Sequence, residues 1–303
     1  MTTTGNLTNF VRRTLRAAGR PLVGAIRKAL TPGIAPTQWK YCTIEQGPAS
    51  GCEIRLPTPS DLGEMILSHR YETYSMRLLE KLITKNAVCY DIGGHYGAFT
   101  LNMARLASEG EVHTFEPVAA LAENIGLSIK KSGLDNAHIH HVALAGKSGT
   151  MIMRSVSDES GDDSMAYLEE YGGVLTPRSI VQYANFQDVT VSCVTLDNVT
   201  TSPPDFIKMD VEGAEFAVIT GGKKLLSTSK PRILMEVHGV EAALRCANFL
   251  QSFGYQAWQI APIAMAPQIL WLHRSDTAGR AAIAGLTDPA ASLIFGDAVE
   301  TPS

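Results

Sequence analysis

From residue 87 onward, short apolar runs alternate with stretches whose apolar residues recur every three or four positions. Ala87–Ile92 is a β-rich run that ends in glycines, and Gly97–Ala107 has helical spacing through Phe99, Met103 and Leu106. Glu111–Phe115 alternates polar and apolar. Pro117 suits the first turn of a helix, where its missing N–H needs no partner, and that helix is expected to reach about Lys131 and stop at Gly133. His138–Leu144 reads as the next strand. Asp188–Val194 alternates strictly, and Asp205–Met209 is a further strand, followed by a helix over about Ala214–Leu226. Arg232–Val237, a helix over about Val240–Phe253, and strands near Tyr255–Ile260 and Gln268–His273 complete the pattern. Strands separated by helices of this length imply an α/β fold with a mostly parallel central sheet and helices on both faces. Ligands in such sheets bind at the carboxyl ends of the strands.

Two regions break the rhythm. Residues 145–187 contain the polar stretch Ser155–Ser164 and read as an insertion over the end of the sheet. By composition, its Asp162, Asp163, Tyr167, Tyr171 and Tyr183 suit binding of sugar hydroxyls and stacking on sugar rings. Residues 31–60, with Pro32, Pro36, Pro48, Pro57 and Pro59, read as a linker or irregular lead-in with one hairpin. The expected organisation is an arm and lead-in over 1–60, one large domain over 61–280, and a tail over 281–303.

Charge sharpens the division. The net −4 of the 303 residues comes from 26 basic and 30 acidic groups. Seven basic residues and no acid fall in residues 1–44, so the remaining 259 carry 19 basic against 30 acidic groups, a balance of −11. Such a body is a poor candidate for general nucleic-acid binding, which needs a basic surface. In the arm, Val11, Leu15, Ala18, Leu22 and Ile26 face away from Arg12, Arg13, Arg16, Arg20 and Arg27, although Gly19, Pro21 and Gly24 interrupt the pattern. A surface extension, a peripheral membrane contact through residues 8–30 and a targeting segment all fit this composition.

The 45% hydrophobic content excludes a disordered chain, and no apolar window is long enough for a transmembrane helix. The five cysteines are odd in number and lack a C-x-x-C pair, which points to a reducing, cytoplasmic compartment. Cys89 and Cys193 lie in strand-like runs and read as small buried hydrophobes.

Candidate chemistry gathers at the strand ends. In DIGGHYGAFT, Gly93, Gly94 and Gly97 let the backbone turn sharply and approach a ligand. The following helix terminus offers free N–H groups to an anionic group. A dinucleotide fingerprint would need glycine where Ile92 stands, and Asp91 would repel a pyrophosphate. An acid there suits a ligand with a cation, such as the zwitterionic end of S-adenosylmethionine. Glu116, 25 residues later, can take both hydroxyls of a ribose. In KMDVEGAE, Asp210, Glu212 and Glu215 crowd three acids into six residues. Alternation puts Glu236 and His238 on one face, and a neighbouring strand would bring them near Asp210 and Glu212. His238 can serve as general base, or the group can hold a divalent metal. The base role is preferred and no metal is assigned. His140 and His141 read as structural.

These motifs resemble the FkbM-type methyltransferases, which use S-adenosylmethionine on a class I Rossmann-like fold. The resemblance runs from about residue 86 to 240. It rests on DIGGHYGAFT, Phe115–Pro117, Asn124, Val142–Leu144, Thr195–Asp197, Ile207–Glu215 and Leu234–His238. Members usually carry Ala-Asn at Gly94–His95, and a second Asn at Ser128. The resemblance implies Asp91, Gly93, Gly94, His95 and Gly97 around the methionine part, Glu116 on the ribose, and Val142–Ala143 near the adenine. It implies O-methylation of a sugar, a glycan or another secondary metabolite; for activation of that hydroxyl the acidic cluster itself offers Asp210, Glu212 and His238 as the catalytic candidates. An NAD-dependent oxidoreductase on a similar sheet, or a non-catalytic module docked to a membrane by its arm, are the competing readings.

Overall fold

The computed structural model describes residues 38–156, 166–171, 186–260, 267–284 and 292–295. The basic arm, with its expected membrane contact, lies outside them, as do Asp162, Asp163 and Tyr183.

The chain enters through a hairpin of β1 (Gln38–Thr43) and β2 (Glu53–Thr58), followed by α1 (Asp61–Leu67) and α2 (Thr73–Leu82). The repeating part begins with β3 (Val88–Ile92), α3 (Ala98–Leu106), β4 (Glu111–Phe115), α4 (Ala119–Lys131) and β5 (Ala137–His140). Next come β6 (Ala143–Leu144), β7 (Gly149–Val156), β8 (Tyr167–Leu168) and β9 (Phe186–Val194). The second half holds β10 (Phe206–Met209), α5 (Glu215–Thr220), α6 (Lys223–Thr228), β11 (Arg232–Glu236) and α7 (Val240–Ser252). β12 (Tyr255–Gln259), β13 (Gln268–His273), α8 (Thr277–Ala284) and β14 (Ser292–Phe295) close it.

The main sheet has the order β14-β12-β13-β11-β10-β3-β4-β5. The strands from β11 to β5 are mutually parallel, whereas β13 runs antiparallel to both β11 and β12. The chain winds outward through β4 and β5, then returns past β3 to lay down β10 and β11. Strand order therefore reverses between β3 and β10, where the ends of an α/β sheet open a crevice. This is the expected class I methyltransferase Rossmann-like arrangement.

Period-two alternation divides the core between the two faces. Cys89, Phe206, Leu234 and Leu270 pack on one face, and Tyr90, Ile207, Met235 and Trp271 on the other. Cys89 and Cys193 are buried, as their apolar surroundings implied. No helix among the described residues is long and apolar enough to cross a membrane.

Several local expectations need revision. The hairpin expected in the lead-in is β1–β2, but from residue 38 onward it is no loose linker: Ile44, Ala49, Cys52, Ile54 and Leu56 are buried in the main core. Two serines one turn apart on α4 hold it. The Arg55 N–H donates to Ser128 Oγ and the Glu53 N–H to Ser132 Oγ, which satisfies the backbone of an edge strand. Ser128 thus has a structural task.

The expected helix over Ala214–Leu226 breaks into α5 and α6 at Gly221–Gly222. A Cβ on Gly222 would lie 2.9 Å from Leu196 Cδ1, so the turn packs too closely for a side chain. The strand over His138–Leu144 divides, with β6 leaving to join a second sheet of order β6-β9-β7-β8. Part of the presumed insertion is therefore regular, and Tyr167 and Tyr171 belong to it. Tyr167 lies opposite Arg154 in the β7–β8 pair, and the Tyr171 hydroxyl accepts the Gly146 N–H.

Candidate active site

The turn after β3 sits at the point where strand order reverses. Gly93 adopts φ +86°, and its N–H donates to Phe115 O at the end of β4. A Cβ there would fall 1.8 Å from the Asp210 carbonyl oxygen. A Cβ on Gly94 would meet Thr114 Cγ2 at 2.4 Å, and one on Gly97 would meet Ile125 Cγ1 at 3.2 Å. The close approach read from these glycines is thus an approach to the protein's own strands and helix. His95 has φ +49°, a region where His and Asn are enriched over other residues, and its ring stacks on Tyr96.

Glu116 is 4% exposed at the end of β4. Its Oε2 accepts the His95 N–H at 2.9 Å and its Oε1 the Val118 N–H at 2.8 Å. A carboxylate has capacity for about four hydrogen bonds, so this anchoring is compatible with a diol ligand. The N–H groups of Glu116 and Val142 both donate to His140 O, which ties the acid to the start of β6. Val142 is half-buried there, whereas Ala143 is buried and paired with Cys193.

Asp91 differs from the simple expectation of an acid presented to a ligand cation. It is 1% exposed, and the Thr100 hydroxyl donates to its Oδ2 at 2.6 Å. Burial pushes its carboxyl up to about 7, against the pull of Thr100 and Lys208. Lys208 stands opposite Asp91 in the parallel pairing of β10 with β3, so a cation already comes from the chain.

Lys208 is itself 2% exposed, 3.7 Å from Glu72 Oε2, 3.9 Å from Asp210 Oδ2 and over the ring of Phe99. Burial works against its charge, yet Glu72, Asp210 and Glu236 outweigh that and raise its pKa. Gln268 donates to the same Glu72 oxygen at 2.6 Å and accepts from Ser75. Sequence reasoning missed Glu72, Thr100 and Gln268, and gave Lys208 no role. A lysine inside the apolar run FIKM was the available signal, since a buried ammonium requires partners.

The expected second group does converge. His238 Nε2 lies 3.5 Å from Glu212 Oε2, 3.8 Å from Asp210 Oδ1 and 3.9 Å from Glu236 Oε1. Its Nδ1 lies 2.7 Å from Glu215 Oε1, which also accepts the Gly213 N–H. Burial lowers the His238 pKa, but Glu215, Asp210 and Glu212 more than reverse this and bring it to about 9. Burial raises the Glu212 and Glu236 carboxyls to about 7. His140, by contrast, packs with His113 and Phe115, in keeping with a structural role.

The family profile described as Methyltransferase FkbM domain matches residues 91–257, more than half of the chain, including the Gly93 turn, Asp210 and His238. The chain belongs to the FkbM methyltransferase family. No curated protein matches it. Among solved structures, it is similar to an FkbM methyltransferase from Methylobacillus flagellatus (14% identity, TM-score 0.47). That alignment covers 69% of this chain and 52% of the other, so the chain spans about half of that protein. It is also similar to an S-adenosylmethionine-dependent O-methyltransferase from Thermotoga maritima (12% identity, TM-score 0.42, covering 73% and 74% of the two chains). TYW2 from M. jannaschii, solved with S-adenosylmethionine, aligns at 10% identity and TM-score 0.41, covering 80% and 86%.

In this member of the FkbM family, the Gly93 turn and the Asp210 group are in direct backbone contact: the Asp210 N–H donates to Ile92 O at 2.9 Å. The expected donor site and the expected activating group are therefore neighbours.

Proposed function

We propose that the protein is an S-adenosylmethionine-dependent O-methyltransferase whose acceptor is a hydroxyl of a sugar, a glycan or another small secondary metabolite. Family membership supports methyl transfer, and the donor set around the Gly93 turn suits the cofactor. In this reading, Gly93, Gly94, His95 and Gly97 shape the cradle for the amino-acid end, with Asp91 fixing the turn through Thr100. Glu116 takes the ribose hydroxyls, and Val142 and Ala143 border the adenine.

S-adenosylmethionine supplies a methyl group on a positively charged sulfur that leaves as a neutral thioether. What remains for the chain is alignment of the acceptor oxygen with the methyl carbon and removal of its proton. Asp210, Glu212 and His238 are the residues placed to activate that hydroxyl. The observation that carries the proposal is their position: they cluster at the ends of β10 and β11, against the turn after β3.

The test is a methyl-transfer assay with labelled cofactor over a panel of sugar and polyketide alcohols. Transfer to an oxygen, lost in Asp210→Asn and strongly reduced in His238→Gln, supports the reading. Transfer to carbon or nitrogen, or full turnover in His238→Gln at saturating substrate, refutes it.

A further inference from the structure

We propose that Asp210, Glu212 and His238 form a site for one divalent cation of the Mg2+ or Mn2+ class, which holds the acceptor hydroxyl. The inference rests on the O-methyl transfer reading and deepens it. It also moves His238 from the expected role of general base to that of ligand.

The geometry carries the argument. Three carboxylate oxygens surround His238 Nε2 at 3.5–3.9 Å. These distances are too long for hydrogen bonds, which lie at about 2.7–3.2 Å. One ligand atom each from Asp210, Glu212 and His238 lie within 4.8 Å of one another, a spacing one cation with bonds of roughly 2.0–2.6 Å can span. His238 is a 6% exposed side chain whose Nε2 faces Glu212 Oε2 and Asp210 Oδ1. Asp210 Oδ1, which faces it, is sealed from water and lacks a hydrogen-bond partner. A buried acceptor in that state is costly unless something electropositive meets it.

The surroundings choose between two neighbouring acid groups. Glu72, Asp210 and Glu236 also lie within ligand distance of one another. Lys208 already stands beside that group, 3.7 Å from Glu72 and 3.9 Å from Asp210 Oδ2. Asp210 thus divides its two oxygens, with Oδ2 toward the ammonium and Oδ1 toward His238. Five carboxyl groups (Glu72, Asp210, Glu212, Glu215 and Glu236) meet one lysine and one histidine, so the His238 side is short of positive charge.

The outer contact has the form expected behind a metal ligand. Glu215 is fully buried and engages Nδ1 of His238 at 2.7 Å, which fixes the ring and turns Nε2 toward the carboxylates. Metal-bound histidines almost always donate their other nitrogen to such a partner. Two carboxylates and one imidazole nitrogen, with room for water and the acceptor oxygen, favour Mn2+ or Mg2+ over thiophilic metals.

The experiment titrates Mn2+ into chelator-stripped full-length protein and follows free Mn2+ by electron paramagnetic resonance. S-adenosylhomocysteine binding is measured in parallel by calorimetry. Wild type should bind one Mn2+ per chain, in competition with Mg2+. Glu212→Gln and His238→Gln should weaken binding by at least about tenfold, and Glu215→Gln by roughly 10–100-fold. Retained S-adenosylhomocysteine binding in these variants shows that they are folded. Absence of saturable Mn2+ binding in wild type, or equal affinity in Glu212→Gln and His238→Gln, overturns the site. Mn2+ binding without any S-adenosylhomocysteine binding would keep the cation site and remove the methyl-transfer reading instead.

Discussion

Glu215 Oε1 lies 2.7 Å from His238 Nδ1, beneath the acidic cluster, and the same oxygen accepts the Gly213 N–H. Glu215 is fully buried, so it orients the imidazole without reaching solvent itself. Removing it as Glu215→Ala leaves a buried imidazole N–H and a backbone N–H without their acceptor. The expected loss of stability is about 1–3 kcal/mol per orphaned group, measured by urea denaturation. In Glu215→Gln the acceptor is kept and the charge is not. That variant should stay close to wild type in stability and lose turnover with little change in cofactor affinity.

Gly93 tests whether the turn at the strand reversal depends on glycine. Its φ of +86° and the Asp210 carbonyl 1.8 Å from a Cβ leave no room for alanine. Gly51 offers the control, with φ +83° and nothing within 4 Å of a Cβ. Gly51→Ala should cost about 1–2 kcal/mol from backbone strain alone. Gly93→Ala should cost more and abolish S-adenosylhomocysteine binding. Thermal melts and calorimetry on the two variants distinguish strain from contact.

Lys208 is a buried cation held between acids. Lys208→Met removes it and leaves Glu72 and Asp210 facing each other without the ammonium. Breaking a buried ion pair from one side costs about 3–5 kcal/mol. The double variant Lys208→Met with Glu72→Gln should recover part of that loss. A double-mutant cycle in urea reads the coupling directly.

On the opposite flank, His113 and His140 carry imidazoles that burial pushes below their ordinary value of 6.5. His113 also contacts Glu111 at 3.2 Å, which raises its pKa in part, and stacks on His138, which lowers it. A folded-state pKa below the unfolded one means that protonation favours unfolding. The stability from these residues is complete above pH 6.5 and is lost as the pH falls from there through the folded values. Between pH 7 and pH 5, the urea midpoint of His113→Phe should therefore drop less than that of wild type.

The alternation of runs from Ala87 to His273 made most of the main sheet legible, because buried parallel strands and amphipathic helices leave different periods. The hairpin at Gln38–Thr58 was expected in the lead-in, but its burial in the main core was not, because serines of a distant helix hold its edge. The break at Gly221–Gly222 depends on Leu196, a contact that no local pattern reveals. In the site, the strand-end positions of Asp210 and Glu236, and of His238 just beyond, followed from alternation. Glu72 and Gln268 did not, since they come from 138 positions before Asp210 and from the antiparallel β13. The glycines were rightly placed in the turn, but their neighbours are Asp210, Thr114 and Ile125.

The central claim is that the turn after β3, with Glu116 beside it, binds the methyl donor. Calorimetric titration with S-adenosylhomocysteine, compared between wild type and Glu116→Ala, tests it most directly. One molecule should bind per chain, with an affinity at least about tenfold weaker in Glu116→Ala, the loss of one or more charge-assisted hydrogen bonds. Absence of binding in folded wild type, or equal affinity in the two proteins, would contradict it.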